Sequence, residues 1–229
     1  MDDALYNPVY NALLTGDARL GFGKGVVKYF DEKVSPFVGF PKDYDKGFDD
    51  LYNLLPAGRK ILYATPQKIN EPEGWQVVAE MEGLQFVFAD DSTPVDPSIT
   101  PVSLSNENID EMVQLATLTK PGPFGRGTIE FGHYHGIFEN NQLVAMTGQR
   151  LHVGNYTEIS AVCTHPNHLG KGYAAALMLH QLNLIFSQGQ QAFLHVRKDN
   201  SRAIALYERL GFKVERGMNF YFMKRRADK

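Results

Sequence analysis

Several short segments carry residue types at spacings that could do chemistry. The first is HPNHLGKGYA, residues 165 to 174, between a strand-like run and a long apolar periodic stretch. Gly170 and Gly172 allow backbone amides to approach a ligand closely, and a helix start offers unpartnered N–H groups at the positive end of its dipole. Such a turn binds a phosphate or pyrophosphate, and it also serves as a tight strand-to-helix connection whose glycines are needed for conformation alone. Gly170, Gly172 and Ala175 also fit G-x-G-x-x-A, but a dinucleotide fold places its glycines almost directly after the strand, and here Thr164 to Leu169 intervene after Cys163. No G-x-x-x-x-G-K-[ST] sequence occurs, which excludes a P-loop.

The second segment is NSRAIALYERLGF, residues 200 to 212, where Asn200 precedes a helix on which Ala203, Tyr207 and Leu210 share a face. Tyr207 can then point at whatever lies against the sheet; equally, Asn200 reads as an N-cap, Tyr207 as a core aromatic and Gly211 as a C-cap. The third is YTEISAVC, residues 156 to 163, whose alternation puts Glu158, Ser160 and Val162 on one strand face and Cys163 on the other. With no activating base beside it, Cys163 reads as a small buried hydrophobe and not as an acyl-carrying nucleophile. His133 and His135, with Glu130 upstream, lack a third ligand at metal spacing, so no metal is expected.

The elements that must position these groups follow from pattern. After Pro101 come a helix near 106 to 118, a loop KPGPFGRG (120 to 127), strands 134 to 139 and 143 to 153 joined at Asn140/Asn141, and a strand 156 to 163. A helix from Leu169 to Gln188, a strand 192 to 197, a helix Ser201 to Leu210 and a last strand 214 to 223 complete a mixed α/β fold. Before it, Asn7-Pro8 starts a helix closing at Gly16, and 59 to 65 and 75 to 89 read as strands, the latter folded around a Glu82/Gly83 turn. The stretch DDSTPVDPSITP, with Pro94, Pro97 and Pro101, divides the chain into an N-terminal half (1–98) and a C-terminal domain (99–229).

Composition narrows the classes. The 229 residues are 43% hydrophobic and 12% aromatic with 21 Gly and 12 Pro, which excludes a disordered or low-complexity chain. One cysteine makes no internal disulfide, and the N-terminus lacks the basic and apolar segments of a signal peptide, so a soluble, cytoplasmic protein is expected. Positions 1 to 100 carry a net charge of −7 and positions 101 to 229 a net of +4, which makes the second half the expected host of an anionic ligand. No Lys/Arg run suggests nucleic acid, and no membrane contact is expected.

The order strand, loop Q/R-x-x-G-x-G/A, long helix, strand, then Asn-x-x-Ala-x-x-x-Tyr-x-x-x-Gly-Phe resembles the GNAT superfamily of acetyl-CoA-dependent N-acetyltransferases between residues 102 and 225. TEISAVCTHP and the extra N-terminal half look most like its bacterial branch related to glycine N-acyltransferases, where that half resembles a degenerate copy of the fold. The resemblance implies a mainly antiparallel mixed sheet with flanking helices. It implies that the backbone of Val162, Cys163 and Thr164 pairs with the pantetheine arm of acetyl-CoA. The amides of Leu169, Gly170, Lys171, Gly172, Tyr173 and Ala174 would hold the pyrophosphate, and Asn200 would touch the cofactor arm. Tyr207 would protonate the departing thiolate. The family's Gln or Arg is Leu169 here, whose side chain cannot donate, with Lys171 as a substitute charge.

Glu158 stands eleven positions before Leu169, the offset at which the histone acetyltransferase branch keeps its basic glutamate. An amine must lose a proton to attack, and a Glu of ordinary pKa ~4.3 would have to be raised by burial toward neutrality to take it. The other reading is a strand Glu paired with a nearby Arg. Phe124, Arg126, Glu130 and Tyr134, in and after the KPGPFGRG loop, are assigned to the acceptor side, the alternative being a plain surface loop. The implied function is direct acetyl transfer to a primary amine. A non-catalytic acyl-CoA-binding module is the alternative, and an NAD- or ATP-binding domain a remoter one. The acceptor and the oligomeric state are not legible.

Overall fold

Turn chemistry explains how the strands are joined. Asn140 and Asn141 both adopt left-handed φ (50° and 61°), the pair that a two-residue hairpin needs, between β7 (His135–Glu139) and β8 (Gln142–Val153). Gly154 (φ 57°) turns the chain from β8 into β9 (Tyr156–Thr164). The computed structural model describes residues 3–89 and 99–227; the boundary expected near residue 98 lies outside them. The N-terminal half supplies α1 (Pro8–Leu14), β1 (Gly21–Lys24), β2 (Val27–Phe30), β3 (Phe37–Gly39), α2 (Gly47–Leu54), β4 (Lys60–Thr65) and β5 (Trp75–Phe88). The second half adds β6 (Val102–Ser103), α3 (Ile109–Thr119), β7 to β9, α4 (Tyr173–Ser187), β10 (Gln191–Arg197), α5 (Ser201–Arg209) and β11 (Phe212–Arg225).

Among the described residues the eleven strands form one sheet, in the order β1-β2-β3-β4-β11-β5-β10-β9-β8-β7-β6. All neighbours are antiparallel except β3 with β4 and β9 with β10. β11, from the C-terminal half, lies between β4 and β5 of the N-terminal half. The sheet curls strongly: the Arg150 guanidinium on β8 stands 5.0 Å from the Phe37 ring on β3, although five strands separate the two in the order. One core fills the concave side, with Phe30, Phe37, Leu62, Phe193 and Phe220 packed on Val9 and Leu13 of α1. Helices α4 and α5 cover the β10 region through Met178, Leu182, Ile185 and Tyr207. No helix among the described residues is long and apolar enough to cross a membrane.

Two expected features differ. Residues 75 to 88 form a single strand with no turn at Glu82/Gly83. It pairs with β11 from Trp75 to Phe88, and Gly83 serves close packing, since a Cβ there would stand 2.7 Å from the Phe220 ring. Helix α4 starts at Tyr173 and not at Leu169, because Gly170 (φ 82°) and Gly172 (φ 81°) hold left-handed backbone and Leu169 is extended.

Candidate active site

The central feature is a fork in the sheet. β9 and β10 pair only over Tyr156, Thr157 and Glu158 against Gln191, Ala192 and Phe193. Beyond that point β10 stays on β5 and β9 stays on β8, so the two part and leave a cavity of about 1190 Å³. A bulge sharpens the divergence. Ala161 has φ 54°, and neither it nor Val162 has a partner between the Gly148↔Ser160 and Met146↔Cys163 pairs. The extra residue also resets the alternation expected for this strand. Ile159 and Val162 pack toward α4 and α5, whereas Ala161 and Cys163 pack with Met112 and Tyr134 on the other side. Burial pushes the Cys163 thiol up to about 11, slightly relieved by Thr119, which leaves it protonated and unreactive at neutral pH.

One end of the cavity is lined by Val162 to Thr164, by residues 168 to 175 and by α5. The α4 N-cap, Gly172, gives no side-chain cap to the amides of the first turn, and a Cβ at Gly170 or Gly172 would meet nothing within 4 Å. The loop is therefore an open cradle of N–H groups, and it fits a pyrophosphate. Lys171 is not free to serve as its counter-charge. Its ammonium lies 2.8 and 2.9 Å from the two Glu139 oxygens, and Tyr173 Oη donates to the same carboxylate. Hydrogen bonds from Lys171, Tyr173 and His168 hold Glu139 down at about 2. Arg202 and Arg209 line this end without an ion-pair partner among the described residues, a pair of cations that the sequence reading missed.

Tyr207 faces the fork from α5. It is 7% exposed, its ring packs edge-on to Phe86 and Phe212, and its hydroxyl has no hydrogen-bond partner among the described residues. Burial, reinforced by Cys163, raises the phenol to about 12, so it stays a proton donor through the neutral range. Asn200 does both things the sequence allowed: its side-chain oxygen accepts from Ala203 N at 3.2 Å as an N-cap, and the residue lines the cavity.

The expectation of a Glu158 carboxyl raised toward neutrality is overturned. Glu158 is fully buried and accepts from Arg150 Nε and Nη2 (2.8 and 2.6 Å) and from His195 Nδ1 (2.7 Å). Burial alone would raise it; the Arg150 charge, the Arg150 hydrogen bonds and the His195 contact outweigh burial and hold it at about 2. A carboxylate lowered in this way is a poor general base, and the arrangement is the strand Glu paired with an Arg. Its role is to fix Arg150 and His195, both of which line the cavity. His195 in turn accepts from Gln85 Nε2 at 3.0 Å and sits between the Phe193 and Phe220 rings. Hairpin arithmetic about Gly154 and Asn155 would place position 151 across from 158; a register shift between Gln149 and His152 brings Arg150 to Glu158, so counting along the sequence does not find this pair.

The other end of the cavity is built largely by the N-terminal half: Phe37, Leu62, Ala79, Glu80 and Met81, joined by Phe220, Phe222, Arg150 and the Lys120 to Pro123 turn. Of the residues assigned to the acceptor, Phe124 and Tyr134 pack edge-on at 5.8 Å beside it. Arg126 and Glu130 do not line the cavity. Both are exposed on a 3-10 turn, and Arg126 pairs with Asp110. The structure thus brings Tyr207, the 162–164 strand, the glycine loop and Asn200 to the cavity, keeps Glu158 buried behind Arg150 and His195, and leaves Arg126 and Glu130 outside. His135 stacks edge-on to His180 at 4.2 Å, away from the cavity lining.

The family model described as FR47-like protein matches residues 134–221. A solved structure from Novosphingobium aromaticivorans, assigned as an acetyltransferase of the GNAT family, is 31% identical, with a TM-score of 0.91 over 99% of this chain and 100% of that one. A GCN5-related N-acetyltransferase from Kribbella flavida is 16% identical (TM-score 0.60, 93% of both chains). A Drosophila protein is 13% identical (TM-score 0.61, 98% of this chain and 90% of that one). No curated protein matches the sequence. The chain belongs to the GNAT family of acetyltransferases. Its fold is that family's curled, mainly antiparallel sheet with flanking helices.

Proposed function

We propose that the protein transfers an acetyl group from acetyl-CoA directly to a primary amine within a ternary complex. The observation that carries this reading is the fork between β9 and β10, with unpaired β9 backbone on one wall, the uncapped amides before α4 at its end and the Tyr207 hydroxyl on the other wall. The amides of residues 169–174 would hold the pyrophosphate, Val162 to Thr164 the pantetheine arm, Asn200 its flank, and Arg202 and Arg209 the remaining phosphate charge. Acetyl-CoA supplies the thioester. Backbone N–H groups near the Ala161/Val162 bulge would favour negative charge building on the carbonyl oxygen there. The N–C bond forms as the C–S bond breaks, Tyr207 gives its proton to the leaving sulfur and regains one from solvent, and the amine proton leaves to water. Holding both partners in one cleft supplies much of the acceleration.

The likeness to the glycine N-acyltransferase branch is part of this reading. It is supported by a strand order in which β1-β2-β3-β4 followed by β11 on one side matches β7-β8-β9-β10 followed by β5 on the other. The test is thermal unfolding with acetyl-CoA, CoA, NAD and ATP, followed by mass-spectrometric detection of acetylated amines. A rise selective for acetyl-CoA and CoA, with acetylation, is expected; ligand at a hundred times its Kd adds about 2.7 kcal/mol. Stabilisation without transfer to any amine would instead identify an acyl-CoA-binding module, a reading that the low basicity of Glu158 favours.

A further inference from the structure

The acceptor end of the cavity holds two hydrogen-bond donors that acetyl transfer does not use. Arg150 commits Nε and Nη2 to Glu158, while its Nη1, with two N–H groups, has no partner among the described residues. Tyr134 is 2% exposed, and its hydroxyl is buried with no hydrogen-bond partner. The two meet at a recess of about 10 Å³ that shares Arg150, Ser160 and Ala161 with the main cavity. That is room for about one oxygen-sized group. A buried O–H and a free guanidinium edge require the same complement, an acceptor oxygen. Glu158 does not supply it: its oxygens bond Arg150 Nε and Nη2 and His195 Nδ1, and neither reaches Arg150 Nη1 or Tyr134 Oη. The neighbouring wall carries Phe37, Leu62, Phe222 and Met81, with Glu80 beside them.

Resting on the reading of this cavity as an acetyl-acceptor site, we propose that the acceptor is an α-amino acid with an aromatic or large aliphatic side chain. Its carboxylate bonds Arg150 Nη1 and Tyr134 Oη, its side chain lies on Phe37, Leu62 and Phe222, and its amine is left facing the thioester end at Val162. Because Glu158 already balances the Arg150 charge, the recess attracts a carboxylate by directed, charge-assisted hydrogen bonds and not by a long-range field. Recognition is then nearly independent of ionic strength.

The experiment compares L-phenylalanine, L-phenylalaninamide and phenethylamine as acceptors with acetyl-CoA, with rates referred to the free-amine fraction. The expected kcat/KM for L-phenylalanine exceeds those of the other two by about 10- to 100-fold, the loss that follows from removing a charged partner of buried donors. Tyr134→Phe removes only an unpartnered oxygen and so should fold. It is expected to cut that preference about tenfold, a ratio that a merely structural role would not move. Equal or better turnover of phenethylamine would overturn the carboxylate site and leave the acetyltransferase reading intact. Acetyl-CoA binding with none of the three acetylated would also overturn it. Neither binding of acetyl-CoA nor acetylation of any amine would remove the parent reading, and this one with it.

Discussion

Replacing Glu158 with Gln tests the electrostatic account of the site most directly. The carboxylate is fully buried, bound twice by Arg150 and once by His195, and held at about 2 against an ordinary 4.5. A depression of that size corresponds to about 3 kcal/mol of native-state stability, which matches the roughly 3 to 5 kcal/mol expected when one partner of a buried ion pair is removed. For a chain of this length that is a fall in Tm of about 6 to 12 °C at pH 7. The folded value lies below the unfolded one, so the contribution is fully present above about pH 4.5 and is lost as pH falls toward 2, with roughly half gone near pH 3. Calorimetry of parent and Glu158→Gln at pH 7, 5, 4 and 3 should show a wide gap that closes on the acid side. If the variant melts with the parent at pH 7 while turnover alone collapses, Glu158 is a base after all and the ion-pair reasoning fails.

Three further expectations concern the cleft. Tyr207→Phe should lower kcat by about 100-fold or more while leaving the Kd of acetyl-CoA unchanged in titration calorimetry, as for loss of a proton donor. Gly172→Ala meets no atom within 4 Å yet must hold φ 81°, so it should destabilise by about 1 to 2 kcal/mol and weaken acetyl-CoA binding, read by unfolding and by calorimetry. Between pH 5 and 9, kcat/KM should rise with the free-amine fraction of the acceptor and show no inflection from Glu158 or Tyr207, because their values of about 2 and about 12 lie outside that window.

The C-terminal half was legible because its strands are long, its turns carry Asn-Asn and Gly, and its motifs sit where backbone geometry demands them. In the N-terminal half α1, β4 and the extent of β5 were legible, and the remaining elements were not. β1, with the sequence GFGK, and the three-residue β3 are too short for alternation to register, and α2 follows a turn without a side-chain cap. Gly83 looked like a turn because a glycine needed for close approach to Phe220 and one needed for a positive φ are the same letter. Strict alternation misplaced Val162 and Cys163, since a bulge at Ala161 has no compositional mark. Glu158 was found, but its partners decide its chemistry. One of them, His195, comes from a strand 37 residues away, and Gln85 behind it comes from the other half.

The placement of β11 has a consequence for how the chain is made. Phe220 registers with Ala64 on one side and Met81 on the other, so a strand made after both β4 and β5 completes the middle of the sheet. Until it arrives, β4 and β5 each present an open edge of unpaired N–H and C=O groups, and contacts this distant in sequence are slow to form. Folding therefore includes an insertion. A nascent chain stalled short of residue 212 should be sensitive to proteases and dependent on chaperones in both halves at once, and a separately expressed 99–229 fragment would lack β5, the strand that joins β10 to β11.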